Sequence, residues 1–230
     1  MGAVKTKRMP RAVREQQMLD AAVRTFGRRG YMAASMDEIA ELAGVSKPLV
    51  YLYLNSKEDL FTACIRREAQ ALTAAVRSGV HTDAPADRQL WDGLRAFFTH
   101  TAQNPDGWSV LHLQARTHGD AFAAEVSAMR EDIVGFVTQL ILAAGAAAVP
   151  RPGLRSRAGA PDGPWLTEHE SAGLAEALVG AAESLADWAN ATPGVTARQA
   201  AATLMDFAWA GLGNLMDGRP WSPPEESQAG

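Results

Sequence analysis

Helix-start signatures recur along this chain, and no stretch competes with them for a sheet. Ser35-Met36-Asp37-Glu38 and Thr167-Glu168-His169-Glu170 have the hydroxyl-x-x-acid form of a capping box. Thr196-Ala197-Arg198-Gln199 is the glutamine variant, and Ser56 stands three residues before Asp59. In such a box the hydroxyl accepts a backbone N–H three residues on, and the acid or amide reaches back to the cap. Alanine is abundant, typical strand formers are sparse, and clean period-2 alternation bounded by turns is missing. The expected fold class is all-α, with about nine helices.

Periodicity places them. Val13, Leu19, Ala22, Val23 and Phe26 mark a first helix from about 12 to 29, stopped by Gly30. A short second helix runs from Ser35 to about Leu42. After the turn Ala43-Gly44-Val45, Ser46 is placed to cap a third, with Pro48 in its first turn, where a missing N–H costs little. Met36, Ile39, Ala40, Val45 and Val50 fall inward by spacing. A fourth helix starts at Ser56 and runs to about Arg77, and further ones cover about 87–103, a short stretch after Pro105, and a long run after Gly119-Asp120. Residues 149–165, with four prolines, read as a loop. Helices over about 167–190 and 196–217 complete the chain before a non-helical tail.

The formal net charge is −4, which taken alone argues against a phosphate-backbone partner. The distribution reverses that argument. Residues 1–35 carry eight basic and two acidic side chains, and residues 61–230 carry 12 basic and 19 acidic. A cationic N-terminal segment thus precedes an acidic larger one.

Two short helices joined across Ala43-Gly44-Val45 form a helix-turn-helix. The first braces the second, which can then present its N-terminal side chains to a major groove about 12 Å wide. Lys47 and Leu49, early on that helix, are placed for base edges: lysine donates to guanine O6 or N7, and leucine touches a thymine methyl.

The stretch from Ser35 to Leu60 resembles the TetR family of bacterial transcriptional regulators. The residues that carry the likeness are Ile39-Ala40, Ala43-Gly44-Val45-Ser46, Val50-Tyr51, Tyr53, Ser56-Lys57-Glu58 and Leu60, with Ala21-Ala22 to Phe26 and Gly30-Tyr31 upstream. It covers about residues 12–65. Ser35 stands where threonine is commoner and Leu54 where phenylalanine is, and both keep the hydroxyl or the bulk. The resemblance implies a three-helix DNA-binding domain over 11–65. Behind it would come a larger helical ligand-binding and dimerisation domain over 66–218, flanked by a basic arm over 1–10 and a tail over 219–230. It also implies phosphate contacts from Tyr51 and Tyr53. Lys57 and Ser35 sit at helix starts, where backbone N–H groups also face a phosphate. With Ser46, Lys47 and Leu49 these make the expected DNA-contacting set. The arm from Lys5 to Arg11 is a candidate for an adjacent minor groove.

The resemblance further implies a homodimer through the last two helices, about 167–190 and 196–217, and a small-molecule effector. Independent support for the dimer comes from small residues on both helices, including Ala172, Gly173, Gly180, Ala200, Gly211 and Gly213. Leu178, Leu185, Trp188, Leu204, Phe207 and Leu212 supply apolar area. Candidate pocket residues are Trp91, Phe98, Trp108, His112, Arg116, Phe122, Phe136 and Trp188, aromatics with a few polar groups. The expected activity is regulation of transcription at a near-palindromic operator, with half-sites about 34–36 Å apart. Release would follow when a ligand favours the DNA-incompetent state. Repression is the family's usual outcome and activation the minority one.

An enzyme is not expected. No Gly-rich phosphate loop, GxSxG or HExxH is present. Cys64, the lone cysteine, reads as a packed thiol. No histidines pair at i, i+4, so neither metal nor cofactor is expected, although a turn could gather His112, His118 and Asp120. No apolar run reaches the roughly 18 residues of a membrane span, the N-terminus lacks a signal-peptide core, and a cytoplasmic location is expected.

Overall fold

The computed structural model describes residues 10–147 and 166–216, and these are helical with no strand. The helices are α1 (Arg11–Arg29), α2 (Met36–Leu42), α3 (Lys47–Leu54), α4 (Lys57–Gly79) and α5 (Ala86–Gln103), then a continuous run α6 over 105–117. After it come α7 (Asp120–Ala147), α8 (Glu168–Ala191) and α9 (Ala197–Met216). That makes nine among the described residues. The anticipated arm up to residue 9, the loop over 149–165 and the tail over 219–230 lie outside them.

The start signals act unequally. Thr167 and Glu170 form the full reciprocal box, and so do Thr196 and Gln199, with bonds of 2.9 and 3.2 Å. Ser56 Oγ accepts the Asp59 N–H at 2.9 Å. Ser35 Oγ accepts from Asp37 N–H instead, at 3.2 Å. Glu38 does not return to it, because Arg29 Nε holds that carboxylate at 3.2 Å. Ser46 occupies the cap position of α3 but makes no cap hydrogen bond. At the other end of α1, Gly30 adopts φ 80°, and its N–H closes the helix on the Phe26 carbonyl. Gly44 at φ 65° makes the turn between α2 and α3, a backbone that side chains resist.

The chain packs as two compact units, each discontinuous in sequence. The first comprises residues up to 75 together with 100–131. Met18, Ala22 and Phe26 of α1, Ile39 of α2, Val50 of α3 and Leu60, Phe61 and Ile65 of α4 are buried in it. Val45, expected inside, is only half-buried at the turn, and Val13 is exposed. The centre is aromatic. Phe61 meets Phe26 edge-on at 4.9 Å and Phe122 of α7 at 4.9 Å, and Tyr31 packs on Phe61 at 4.7 Å and on Phe122 at 5.4 Å.

α6 completes this unit. Its middle, Val110–Gln114, is wound as a π-helix between two α-helical turns. It lies hard against the end of α1: a Cβ on Gly27 would stand 2.5 Å from the Asp106 carbonyl oxygen. Arg28 grips the Asp106 carboxylate at 3.1 Å, Ser109 Oγ donates to the Gly27 carbonyl at 3.0 Å, and Gln114 Oε1 accepts the Tyr31 N–H at 3.1 Å. Beneath, Glu68 is buried. Arg67 donates to its Oε1 at 2.8 Å and to Asp20 at 2.7 Å, and the two carboxylates hold that guanidinium's pKa up against the opposing effect of burial.

The second unit comprises residues 76–99 and those from 132 onward. Gly79 lets α4 and α5 approach, since a Cβ there would lie 2.5 Å from Ala96 Cβ. Arg77 pairs with Asp132 at 2.7 Å and lies over the Phe136 ring. α8 and α9 pack on each other, and Ala175, Ala182 and Ala186 of the first and Ala200, Ala201 and Leu204 of the second are buried.

Candidate nucleic-acid interface

α3 has two buried anchors, Val50 and Leu54, and everything else on it follows from them. At about 100° per residue, Lys47 and Tyr51 flank the buried edge on one side and Leu49 and Tyr53 on the other, while Leu52 points directly away. The exposures agree. Lys47 and Ser46 are exposed and Tyr51 is 38% exposed, Leu49 and Tyr53 are half-buried, and Leu52 is 74% exposed. The helix therefore shows solvent a lysine, a tyrosine and a leucine from its N-terminal half and middle. Spacing alone puts Leu52 opposite both Val50 and Leu54, and its exposure agrees with that position.

The flanking groups are held by neighbours. Lys47 Nζ donates to Asp37 Oδ2 of α2 at 2.9 Å, and that hydrogen bond raises the lysine's pKa. Ser35 is exposed, with its Oγ turned back to the Asp37 N–H. The Arg11 guanidinium lies 4.9 Å from the centre of the Tyr53 ring, a cation–π contact that fixes that ring from α1. Lys57, first residue of α4, lies 4.8 Å over the Tyr31 ring and donates to the Met32 carbonyl at 3.4 Å. Tyr31 in turn donates its hydroxyl to Glu58 at 3.0 Å. Burial first, and that bond second, push the Tyr31 pKa up to about 12. Glu58 is held below the usual carboxylate range by its own backbone N–H and then by Tyr31.

Ser35, Ser46, Lys47, Leu49, Tyr51, Tyr53 and Lys57 thus all belong to α2, α3, the start of α4 and the turns before them, within one compact unit. The anticipated pocket residues are shared between the two units. Trp108 stacks on His112 at 4.8 Å within α6, Arg116 is exposed further along that helix, and Phe122 belongs to the aromatic centre of the first unit. In the second unit, Trp91 lies under Arg198 at 5.6 Å, Phe98 is fully buried against Phe97, Phe136 sits beneath Arg77, and Trp188 is 52% exposed on α8. Cys64 is buried, and burial pushes its thiol pKa well up, so it is no reactive thiolate.

A braced pair of short helices with a glycine turn, the second exposing its N-terminal half between basic and hydroxyl-bearing flanks, defines a helix-turn-helix DNA-binding protein. The family model for bacterial regulatory proteins of the tetR family matches residues 18–64, and that for the tetracyclin repressor-like C-terminal domain matches residues 86–211. The chain belongs to the TetR family: it is a DNA-binding transcriptional regulator and not an enzyme. It is 30% identical over 209 residues to the HTH-type transcriptional activator FasR of Mycolicibacterium smegmatis, covering 90% of this chain and 87% of that protein. The crystal structure of a TetR-like transcriptional regulator from Rhodococcus sp. RHA1 superposes with a TM-score of 0.71 at 34% identity, covering 90% of this chain and 99% of the other. The fatty acid degradation regulator FadR from Bacillus halodurans shares the fold, with a TM-score of 0.71 at 17% identity and coverage of 90% and 98%.

Proposed function

We propose that this regulator works as a homodimer that sets two copies of α3 into successive major grooves of a near-palindromic operator and leaves it when a small molecule binds. In this reading Lys47 and Leu49 meet base edges. Ser35, Ser46, Tyr51, Tyr53 and Lys57 meet phosphates, and the basic arm from Lys5 to Arg11 is a candidate for the adjacent minor groove. Leu52, the most exposed apolar group of α3, joins the base-contacting set. Ser46 Oγ makes no cap bond, so it is available to a phosphate oxygen.

One observation carries the dimer. The outer face of α8 runs through Gly173, Ala177, Ser184 and Trp188, and that of α9 through Thr203, Phe207, Ala210, Gly211 and Asn214. These are small residues with one large ring on each helix, and Phe207 is 77% exposed. Small residues permit close helix approach, and bare aromatics want cover. Leu178, Leu204 and Leu212 face the core of their own unit and are buried there, so the contact rests on Trp188 and Phe207.

The effector domain is assigned to residues 66–218, with Trp91, Phe98, Trp108, His112, Arg116, Phe122, Phe136 and Trp188 as the residues to test. Repression is the first reading for the outcome. Activation is the second, favoured by the name of the full-length relative FasR. Selection of bound sequences from a random duplex pool tests the operator: a two-fold-related consensus with one-turn spacing supports the reading, and an asymmetric one overturns it. A reporter behind that operator, with and without the protein, separates repression from activation.

A further inference from the structure

Lys47 is tethered. Its ammonium donates to Asp37 at 2.9 Å, across the turn that joins α2 to α3, and both side chains are open to solvent, 44% and 71% exposed. An exposed ion pair contributes little to stability, so the contact is not explained as a staple. Its place is more telling: it sits on the first residue of the recognition helix.

We propose that Asp37 is a specificity-determining residue, which holds Lys47 as one half of a donor–acceptor pair that reads a G·C base pair. The proposal rests on the reading of Lys47 as a base-contacting residue. A lysine has three N–H donors, and Asp37 takes one. The other two match guanine N7 and O6, which are adjacent acceptors, whereas adenine offers N7 beside a donor amino group. The second carboxylate oxygen of Asp37 remains an acceptor, and the cytosine N4 amino group of the same pair is the donor that suits it. The pairing has a further effect. An untethered lysine binds any phosphate, and each such contact adds to sequence-independent affinity. A lysine shared with a carboxylate adds less there, and the carboxylate repels a backbone that comes too near. Asp37 therefore suppresses indiscriminate binding and makes Lys47 answer to a base.

Arg29 at the end of α1 pairs in the same way with Glu38, the neighbour of Asp37 on α2, at 3.1 Å. Neither that pair nor Arg28 with Asp106 stands on α3, so neither shares this role.

The test compares the full-length wild type with Asp37→Asn, Asp37→Glu, Lys47→Ala and the double variant Asp37→Asn/Lys47→Ala. Each is read by selection from a random duplex pool and by affinity against salt. Asp37→Asn is expected to keep operator binding but lose roughly 5- to 150-fold of discrimination at a single base pair. Its log-affinity slope against log salt should steepen by about one contact as Lys47 turns to phosphate. Asp37→Glu should restore the preference. The double variant should keep no more of the preference than Lys47→Ala, because Asp37 acts mainly through that lysine. If Asp37→Asn leaves both the base preference and the salt slope unchanged while Lys47→Ala erases the preference, the proposal fails and the lysine's role stands. A uniform loss of affinity at every sequence in Asp37→Asn, the mark of a helix-start residue only, overturns it as well. An unchanged profile for Lys47→Ala overturns the base-reading role and the proposal with it.

Discussion

The two compact units solve packing in opposite ways. The first locks large rings together, Phe26, Tyr31, Phe61 and Phe122, over a buried Glu68 whose carboxylate is held by Arg67. The second joins helices through alanine, Ala175, Ala182 and Ala186 beside Ala200 and Ala201, and leaves Trp188 and Phe207 bare. Interlocked aromatics fix relative helix positions closely, because each ring fits one arrangement of its neighbours. That suits a reading head, whose side chains must keep their spacing. Alanine faces give close approach with little buried area per residue. A unit built this way gains by covering its remaining rings with another surface.

The contrast can be broken most severely at Phe61. Truncation to alanine removes the ring shared by α1, α4 and α7, and should cost about 3–5 kcal/mol. Thermal denaturation should show this, with operator binding lost alongside. Phe207→Ala, at a bare ring, should leave the helical content of the subunit intact yet shift sedimentation toward monomer, with a loss of about 2 kcal/mol or more for a central contact. A dimer that survives both Phe207→Ala and Trp188→Ala would refute the α8/α9 interface. Gly27→Ala sharpens the account of the first unit, since its new methyl meets backbone at Asp106 and not a flexible tip. About 1–3 kcal/mol of destabilisation is expected. Gln114→Ala strands the Tyr31 N–H and should cost about 1 kcal/mol, measurable by urea denaturation.

The smallest effect expected is one of pH. Burial lowers the His100 pKa below its ordinary 6.5, against an opposing pull from Glu68. The unfolded chain thus binds a proton that the folded one resists. Stability should be full above about pH 6.5 and fall as the pH drops from there toward the folded value. His100→Gln should flatten that portion of the stability profile, and an unchanged slope would remove His100 as its source.

Much of this was legible in the residues. The helix starts at Thr167 and Thr196 form the boxes their spacing implies, because each needs only local geometry. Ser35 departs because a distant partner, Arg29, outcompetes the local bond for Glu38. The helix-turn-helix was readable from Gly44 and from the inward spacing of Met36, Ile39, Ala40 and Val50, all of which are buried. The π-wound turn at Val110–Gln114 was not. The backbone register there goes with packing against α1, 80 residues away in sequence, and VLHLQ itself gives no sign of it. Nor did spacing announce the tether from Asp37 to Lys47 or the Arg11 guanidinium over Tyr53, since both join different helices.

The first unit's discontinuity has a consequence for how the protein is made. Its core stays open at residue 75 and closes only when α6 and the start of α7, through residue 131, have left the ribosome. At about 5–20 residues per second, that interval lasts roughly 3 to 11 seconds. During it Phe26 and Phe61 lack Phe122, and the surface that finally covers Gly27 does not yet exist. The nascent chain therefore passes through a stage in which its most basic segment is synthesised before the core behind it is complete.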